Sequence, residues 1–155
     1  SVADRVFGVA LLGWLLAPEA LDRSRVVELA LLHDLAESAI GDITPYDREA
    51  LQMLDPQRRR DALNQRHVRS EEASAAKHAA EDAAIVVLAE TLPADRQVLL
   101  LARWTELRER MTPEASFIKE MDVLETYLQS RRYLQRYPDA PMESFELEMR
   151  EFPGT

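Results

Sequence analysis

The sequence contains no cysteine among its 155 residues. This absence excludes disulfide bonds, thiolate metal sites and a cysteine nucleophile. It is compatible with a reducing compartment, because cytosolic proteins rarely depend on disulfides. We therefore expect a cytoplasmic protein whose chemistry, if it has any, depends on histidine, carboxylate and basic side chains.

Glycine is also scarce, with 4 residues, and alternation of apolar and polar residues of the kind that marks strands is hard to find. Nearly the whole chain shows the helical period instead. Apolar residues make up 46% and charged residues 30% of the sequence, which is typical of a globular domain. The pattern predicts an all-α fold, a single domain over residues 1–155 built as a bundle of five or six helices. A strongly polar segment, about residues 55–70, is interpreted as a solvated helix face and an insertion.

Long apolar runs are missing too. The longest, Val9 to Ala17, is well short of the ~20 residues that a membrane-spanning helix needs. Neither a membrane partner nor a signal peptide is expected, although the abrupt helical start suggests that an upstream segment is absent from this chain. The formal net charge of −9 argues against binding a nucleic-acid polymer through its phosphates. A small phosphorylated substrate needs only one local cationic pocket and is not excluded.

The helix boundaries are predicted from caps and prolines. The first helix, Val2 to Leu16, is apolar on most sides, which indicates a central, well-buried helix. The second is predicted to begin after Ser24 as N-cap and to run to about Ala39, with Gly41 as a left-handed cap. Later helices are predicted to start at Asp55-Pro56, Glu71, Pro93, Thr112-Pro113 and near Met142.

Four residues that can carry chemistry cluster at the end of the second predicted helix: His33, Asp34, Glu37 and Asp42. His33 and Glu37, four apart, share one helix face. Carboxylates near a helix C-terminus are disfavoured by the macrodipole unless a cation is close. Imidazole and carboxylates together suit Mn, Fe, Co, Ni or Zn better than Ca. The residues alone leave two interpretations open, a metal site and a hydrogen-bonded core histidine beside incidental acids.

Three stretches occur in an informative order: Ser1 to Asp4, then His33 to Glu37 followed by Gly41 to Pro45, and finally Phe117 to Glu125. Together they resemble the HD-domain metal-dependent phosphohydrolases, and most of all their 5'-deoxynucleotidase branch. The resemblance covers most of the chain, apart from the polar segment and the tail. Three motifs in the same order are far more specific than one His-Asp pair.

The resemblance implies roles for individual residues. His33, Asp34 and Asp122 match metal ligands, so a divalent transition metal (Mn, Co, Fe, Ni or Zn) is the expected cofactor. Glu37 and Asp42 match catalytic acidic residues that position or deprotonate the attacking water and assist the leaving group. The implied activity is hydrolysis of a small phosphomonoester, a nucleoside or deoxynucleoside 5'-monophosphate. Relatives of this kind commonly form homodimers.

Arg5 departs from the family pattern, which places a metal-binding histidine there. An arginine stays protonated and has no lone pair for a metal. Three outcomes are open: metal held more weakly by the remaining ligands and water, Arg5 as a fixed charge paired with Asp34 or Asp122, or Arg5 turned toward substrate phosphate. Arg5 also raises an alternative function, a degenerate HD-domain protein with a binding or scaffold role.

The remaining candidates are given structural interpretations. His67 and His78 lie in the polar middle of the chain and do not match a ligand position. Lys119 and Arg103 are interpreted as solvated helix charges rather than phosphate contacts. Trp104 and Glu106 are interpreted as packing or rim residues.

Overall fold

Residues 1–41 and 48–152 are described by the structure, a computed structural model, and they form nine helical segments and no strand. The helices are α1 (Val2–Leu16), α2 (Arg23–Leu32), α3 (Glu37–Ile40), α4 (Arg48–Met53), α5 (Pro56–Asn64), α6 (Glu71–Glu90), α7 (Ala94–Glu109), α8 (Pro113–Arg136) and α9 (Glu143–Glu151). The all-α prediction is confirmed. The count exceeds five or six because the second predicted helix is divided into α2 and α3 and because a short helix, α4, precedes the polar segment.

The second predicted helix needs two corrections. Its N-cap is Asp22 rather than Ser24, since the Asp22 carboxylate accepts hydrogen bonds from the backbone N–H groups of Ser24 and Arg25 at 2.9 and 3.1 Å. An aspartate one turn before the apolar run caps as well as serine does, so composition did not separate the two. The regular helix also ends at Leu32 instead of continuing to about Ala39. Gly41 does end the following segment, with a φ of 77°.

The described residues group by their contacts into two compact units. The first unit comprises residues 1–41 and 71–122, and the second comprises residues 48–70 and 123–152. The α8 helix contributes to both, with the boundary after Asp122. The single-domain expectation stays a prediction.

In the first unit, α1 packs against α2 through a glycine. Gly13 is buried, and a Cβ atom added there would lie 2.9 Å from Cγ1 of Val26 and 3.4 Å from Cδ1 of Ile118. The missing side chain therefore lets the two helices approach closely. Val9 of α1, Val26 and Leu29 of α2 and Ile118 of α8 are almost completely buried.

The prediction that α1 is well buried is wrong for most of its apolar side chains. Val9 and Gly13 are buried, but Phe7, Trp14 and Leu15 are 68%, 53% and 58% exposed. A helix that is apolar on most sides gives no signal about which side faces the core. The side of α1 that carries Val9 and Gly13 is the covered one.

A second part of the core supports the segment that follows α2. Ala36 is buried with Ala84, Ile85 and Ala89 of α6 and with Leu100 and Trp104 of α7. Leu32, Leu35, Ile40 and Leu88 pack at the edge of this cluster. Four residues of the stretch from Leu32 to Ile40 are thereby anchored, at spacings of three, one and four positions, and this fixes the direction of the polar residues between them.

The second unit contains the polar segment. None of the residues of α5 is buried, which confirms the interpretation of this helix as a solvated face. Asp55 caps α5 through a hydrogen bond from the Arg58 N–H at 3.0 Å, as the Asp-Pro start predicts. The Asn64 side-chain oxygen accepts a hydrogen bond from the Glu143 N–H at 3.4 Å and ties α5 to α9. None of the helices in the described ranges has the length and apolar character that a membrane-spanning segment requires.

Candidate metal centre

His33 and Asp34 are held in a tight turn between α2 and α3. The chain switches there to i→i+3 hydrogen bonds, with Leu35 N donating to Leu32 O and Glu37 N donating to Asp34 O, both at 3.0 Å. Such tightening is common at helix ends and rotates side chains away from their α-helical directions. The turn therefore lets adjacent residues His33 and Asp34 reach one place, which a regular helix makes difficult.

The ring of His33 is oriented by the backbone. Its Nδ1 lies 2.6 Å from the Ala30 carbonyl oxygen, and because a carbonyl can only accept, Nδ1 carries the hydrogen and donates it. In the neutral ring this leaves the lone pair on Nε2. A histidine prepared in this way is the usual metal-ligand tautomer.

Asp122 comes to the same place from α8. His33 Nε2 lies 3.2 Å from Asp34 Oδ2 and 3.8 Å from Asp122 Oδ1. One donor atom from each of the three residues lies within 4.8 Å of the other two. The structure thus brings together the three predicted ligands, and all three side chains are at least nine-tenths buried.

Two of these atoms fit a bound cation for a further reason. His33 Nε2 and Asp34 Oδ2 are buried and make no hydrogen bond in the described part of the chain while His33 is neutral, although they lie 3.2 Å apart and pair once His33 is protonated. Buried polar atoms without a partner are rare and call for an explanation such as an ion. Three nitrogen and oxygen ligands with remaining positions for water are also a normal donor set for a catalytic divalent metal. The residues present therefore fit the expected metal.

Arg5 lies beside this group and pairs with two of its three residues, Asp34 and Asp122. Its Nη2 and Nε lie 2.5 and 3.0 Å from Asp122 Oδ1, and its Nε lies 3.4 Å from Asp34 Oδ2. Of the three outcomes that the sequence left open, the structure shows the one in which Arg5 pairs with the carboxylates. Burial opposes the charge on Arg5, but Asp122 and Asp34 outweigh it and raise its pKa above the ordinary value.

Lys119 binds the second carboxylate oxygen of Asp122. Its Nζ donates to Asp122 Oδ2 at 2.7 Å, so the interpretation of Lys119 as a merely solvated charge is wrong. The spacing of three residues on one helix face was the available signal. Burial opposes ionisation of Asp122, but Lys119 and Arg5 outweigh it and hold the pKa of that carboxyl well below its usual range.

Glu37 lies at the start of α3 and is buried. Lys77 of α6 lies nearby, with its Nζ 3.4 Å from Glu37 Oε1 and 3.2 Å from Glu81 Oε1. Sequence reasoning missed Lys77, because 40 positions separate it from Glu37 and nothing local links them. Asp42, the other predicted catalytic residue, lies outside the described residues.

The remaining predictions concern residues beside this centre. The group that could hold a metal includes neither His67 nor His78. Arg103 Nε lies 3.0 Å from Glu28 Oε2 and is less solvated than predicted. Trp104 is buried and donates to Asp82 Oδ1 at 2.7 Å, and buried Glu106 pairs with Arg25. The packing interpretation is thus confirmed for Trp104, whereas Glu106 is a buried ion-pair partner rather than a packing or rim residue.

The charges of this centre predict how the stability of the metal-free protein depends on pH. Burial opposes protonation of His33, but Asp34 and Asp122 outweigh it and raise its pKa above 6.5. A raised pKa stabilises the fold fully below the unfolded value and loses this contribution as pH rises through the folded value. The lowered pKa of Asp122 acts oppositely, stabilising above about 3.8 and losing its contribution as pH falls below that value. Together, His33 and Asp122 therefore stabilise the fold most between about pH 3.8 and pH 6.5.

Urea unfolding with a chelator at pH 5.5 and pH 8 measures this effect. We expect His33→Gln to remove the part of the stability at pH 5.5 that fades toward pH 8. His78, whose pKa is lowered by burial and by Arg108, contributes with the opposite sign in both proteins and cancels in the comparison. The same pH dependence in both proteins would show that His33 is not held by the carboxylates.

Comparison with known proteins shows which family this chain resembles. Residues 1–151 match the model of the HD domain. The chain is 33% identical over 133 residues to the 5'-deoxynucleotidase HDDC2 of Bos taurus, covering 86% of this chain and 54% of that protein. It is 27% identical over 141 residues to the 5'-deoxynucleotidase hdd1 of Schizosaccharomyces pombe, covering 88% and 60%. The chain thus spans about half the length of the curated relatives it matches.

Solved structures agree on the fold. The PH0347 protein of Pyrococcus horikoshii superposes with a TM-score of 0.63 at 22% identity, covering 97% of this chain and 73% of that one. A conserved hypothetical protein of Pyrococcus furiosus gives 0.61 at 20% identity, covering 97% and 72%. The HD domain model matches residues 1–151 of this chain, and His33, Asp34 and Asp122 lie together in the structure. The chain therefore belongs to the HD domain family.

Proposed function

We propose that this protein is a metal-dependent phosphohydrolase that cleaves a nucleoside 5'-monophosphate, with a deoxynucleotide as the preferred substrate. The observation that carries the proposal is the buried group His33, Asp34 and Asp122, in which two donor atoms lack a hydrogen bond. The substrate class is supported by the relatives, which are named 5'-deoxynucleotidases. No specific observation favours the scaffold alternative over this function.

The metal would be held by His33 Nε2 and by carboxylate oxygens of Asp34 and Asp122. A divalent cation bound there supplies the Lewis acid that polarises the phosphate and acidifies a water molecule. The three residues contribute by holding their donor atoms in place before binding. The His33 ring is fixed by Ala30 and the two carboxylates by burial, so little ordering remains to be done when the cation arrives.

Glu37 is proposed to act as the general base that accepts the proton of the attacking water. Its carboxylate is buried, and the positive charge of Lys77 at 3.4 Å compensates its negative charge. A buried carboxylate close enough for its charge to act on Arg5 is a suitable candidate for the general base. In the hydrolysis a water oxygen bonds to phosphorus, the bond from phosphorus to the 5' oxygen breaks, and that oxygen gains a proton. Asp42 is proposed to assist this departure, as the family resemblance implies.

Lys119 is proposed to contact the phosphate of the substrate. Its side chain is 43% exposed although its Nζ reaches Asp122, so the cation is accessible from solvent as well as attached to the centre. Lysine is a common point charge for phosphate. One local cation of this kind is enough for a nucleotide in a chain that is acidic overall.

The homodimer and the cytoplasmic location are part of the same proposal. Exposed apolar side chains of α1, including Phe7, Trp14 and Leu15, support self-association, because exposed apolar patches often mark interfaces. The absence of cysteine supports a reducing compartment.

A phosphate-release assay tests the activity. The full natural chain would be incubated with deoxynucleoside and nucleoside 5'-monophosphates and with Mn²⁺, Co²⁺, Fe²⁺, Ni²⁺ or Zn²⁺. We expect phosphate release from 5'-monophosphates that a chelator abolishes and that a re-added metal restores. Deoxynucleoside 3'-monophosphates serve as a matched control and are expected to react poorly. A chain that binds metal but releases no phosphate from any 5'-monophosphate would contradict the proposal.

A further inference from the structure

Arg5 is placed where it satisfies part of the charge of the metal centre. Its guanidinium bridges two of the three candidate ligands, with Nη2 2.5 Å from Asp122 Oδ1 and Nε 3.4 Å from Asp34 Oδ2. Lys119 binds the second oxygen of Asp122 at 2.7 Å. The two negative charges of Asp34 and Asp122 are therefore matched by two positive charges in the absence of any metal.

This arrangement differs from a purely structural ion pair in the same unit. Arg25 binds Glu106 through two nitrogens, and Thr112 donates to the same carboxylate, so both oxygens of Glu106 are hydrogen-bonded. Arg5 instead leaves Asp34 Oδ2 without a hydrogen bond, although it lies 3.4 Å away. Arg5 neutralises the centre but satisfies it incompletely.

A divalent cation could not join this arrangement unchanged. It would need Asp122 Oδ1 and Asp34 Oδ2, the oxygens nearest to Arg5, and it would face the guanidinium at contact distance. Like charges at that distance repel strongly where water is scarce. The side chain of Arg5 is 32% exposed, so it has a direct way into solvent when it is released.

We propose that Arg5 is a built-in counter-ion that competes with the divalent metal for Asp34 and Asp122, so that metal binding requires its release. The inference rests on the metal site of the proposed function, and it concerns the affinity of that site rather than the reaction. Arg5 holds the carboxylates together in the metal-free protein. It also lowers the affinity for metal, because its ion pairs must be broken first.

Titration of the metal alone into four proteins tests this. Wild type, Arg5→Gln and Arg5→His would be titrated with Mn²⁺ by calorimetry, with Arg96→His as the matched control. Arg96 lies on α7 and is 65% exposed beside Asp95, so its variant gains an imidazole away from the centre. We expect about tenfold tighter binding for Arg5→Gln, which removes the competitor, in line with effects of groups around a metal.

Arg5→His separates competition from ligation. It removes the competitor and offers a new donor near the same carboxylates, so we expect it to bind Mn²⁺ more tightly than Arg5→Gln, again by about tenfold. Arg96→His should bind as wild type does. Binding by Arg5→Gln that is no tighter than wild type would overturn the competition.

A measurement on the wild-type protein guards against a variant that does not fold. The Nε–H signal of Arg5 in a ¹⁵N NMR spectrum, assigned by its loss in Arg5→Lys, should shift when diamagnetic Zn²⁺ binds. An unchanged signal at saturating Zn²⁺ would overturn the proposal. These experiments measure metal binding in the absence of nucleotide, so they test the inference even if the protein has no phosphohydrolase activity. If no variant bound metal, both the metal centre and this inference would be wrong.

Discussion

Asp34→Asn is expected to abolish metal binding and to lower phosphate release by about 10³-fold or more. Asn offers a neutral oxygen in place of a carboxylate, and it leaves the two positive charges of Arg5 and Lys119 facing the single negative charge of the buried Asp122. The metal contributes several kcal/mol to the reaction, and each 1.4 kcal/mol corresponds to a factor of ten in rate. Calorimetric titration with Mn²⁺ and the phosphate-release assay measure the two effects on the same preparation.

The matched control for this substitution is Asp95→Asn. Asp95 lies in the first turn of α7, its side chain is 75% exposed, and its ion partner is Arg96. The control should keep both metal binding and activity, since an exposed pair of this kind contributes little. Circular dichroism of both variants shows whether the fold persists. A folded Asp34→Asn protein that binds Mn²⁺ like wild type would refute the assignment of Asp34 as a ligand.

The sequence predicts the helices well wherever capping chemistry marks them. The α1 helix covers the predicted residues Val2–Leu16, and α5 and α8 begin at the predicted prolines, Pro56 and Pro113. A proline in the first turn costs nothing there and excludes the helix interior, so its position is informative. Ser24 and Asp22 are equivalent as caps, so no physical property of the two side chains distinguishes them at this helix start.

The exposure of α1 could not be predicted from its composition. Its residues are apolar on most sides, so no polar stripe indicates the solvent side. The decisive feature is Gly13, whose missing side chain lets α1 approach Val26 of α2. That contact depends on the shape of both helices, which one helix sequence does not contain.

The candidate site divides in the same way. His33, Asp34 and Glu37 are neighbours in sequence, and local chemistry singles them out. Asp122 is indicated only by the resemblance, because no spacing rule connects it with His33 and Asp34 or with Arg5, which is 117 positions away. The tight turn after Leu32 was missed because its i→i+3 bonds arise from packing of Ala36 among α6 and α7. That turn lets the donor atoms of His33 and Asp34 reach one place.

Glu37→Gln is expected to lower kcat by about 10²- to 10⁴-fold, the usual contribution of a general base, while Mn²⁺ affinity changes little. The amide keeps the size of the side chain but cannot accept the proton of the attacking water. Glu37 is buried beside Lys77 and is not one of the three residues that bring their donor atoms together. The substitution should therefore separate proton transfer from metal binding, which Asp34→Asn removes together.

Steady-state kinetics and metal titration of Glu37→Gln decide between three roles, with Glu90→Gln, an exposed change at the end of α6, as the matched control. Loss of kcat with unchanged metal affinity supports the proton acceptor. Loss of metal affinity as large as that of Asp34→Asn would make Glu37 a ligand instead. Unchanged kcat would leave Glu37 as the counter-charge of Lys77, a structural role. If Glu37 accepts the proton, kcat of the wild-type enzyme falls at low pH and this fall is absent from the Glu37→Gln variant. The other two roles do not predict this difference, so the pH profile of kcat separates them from the first.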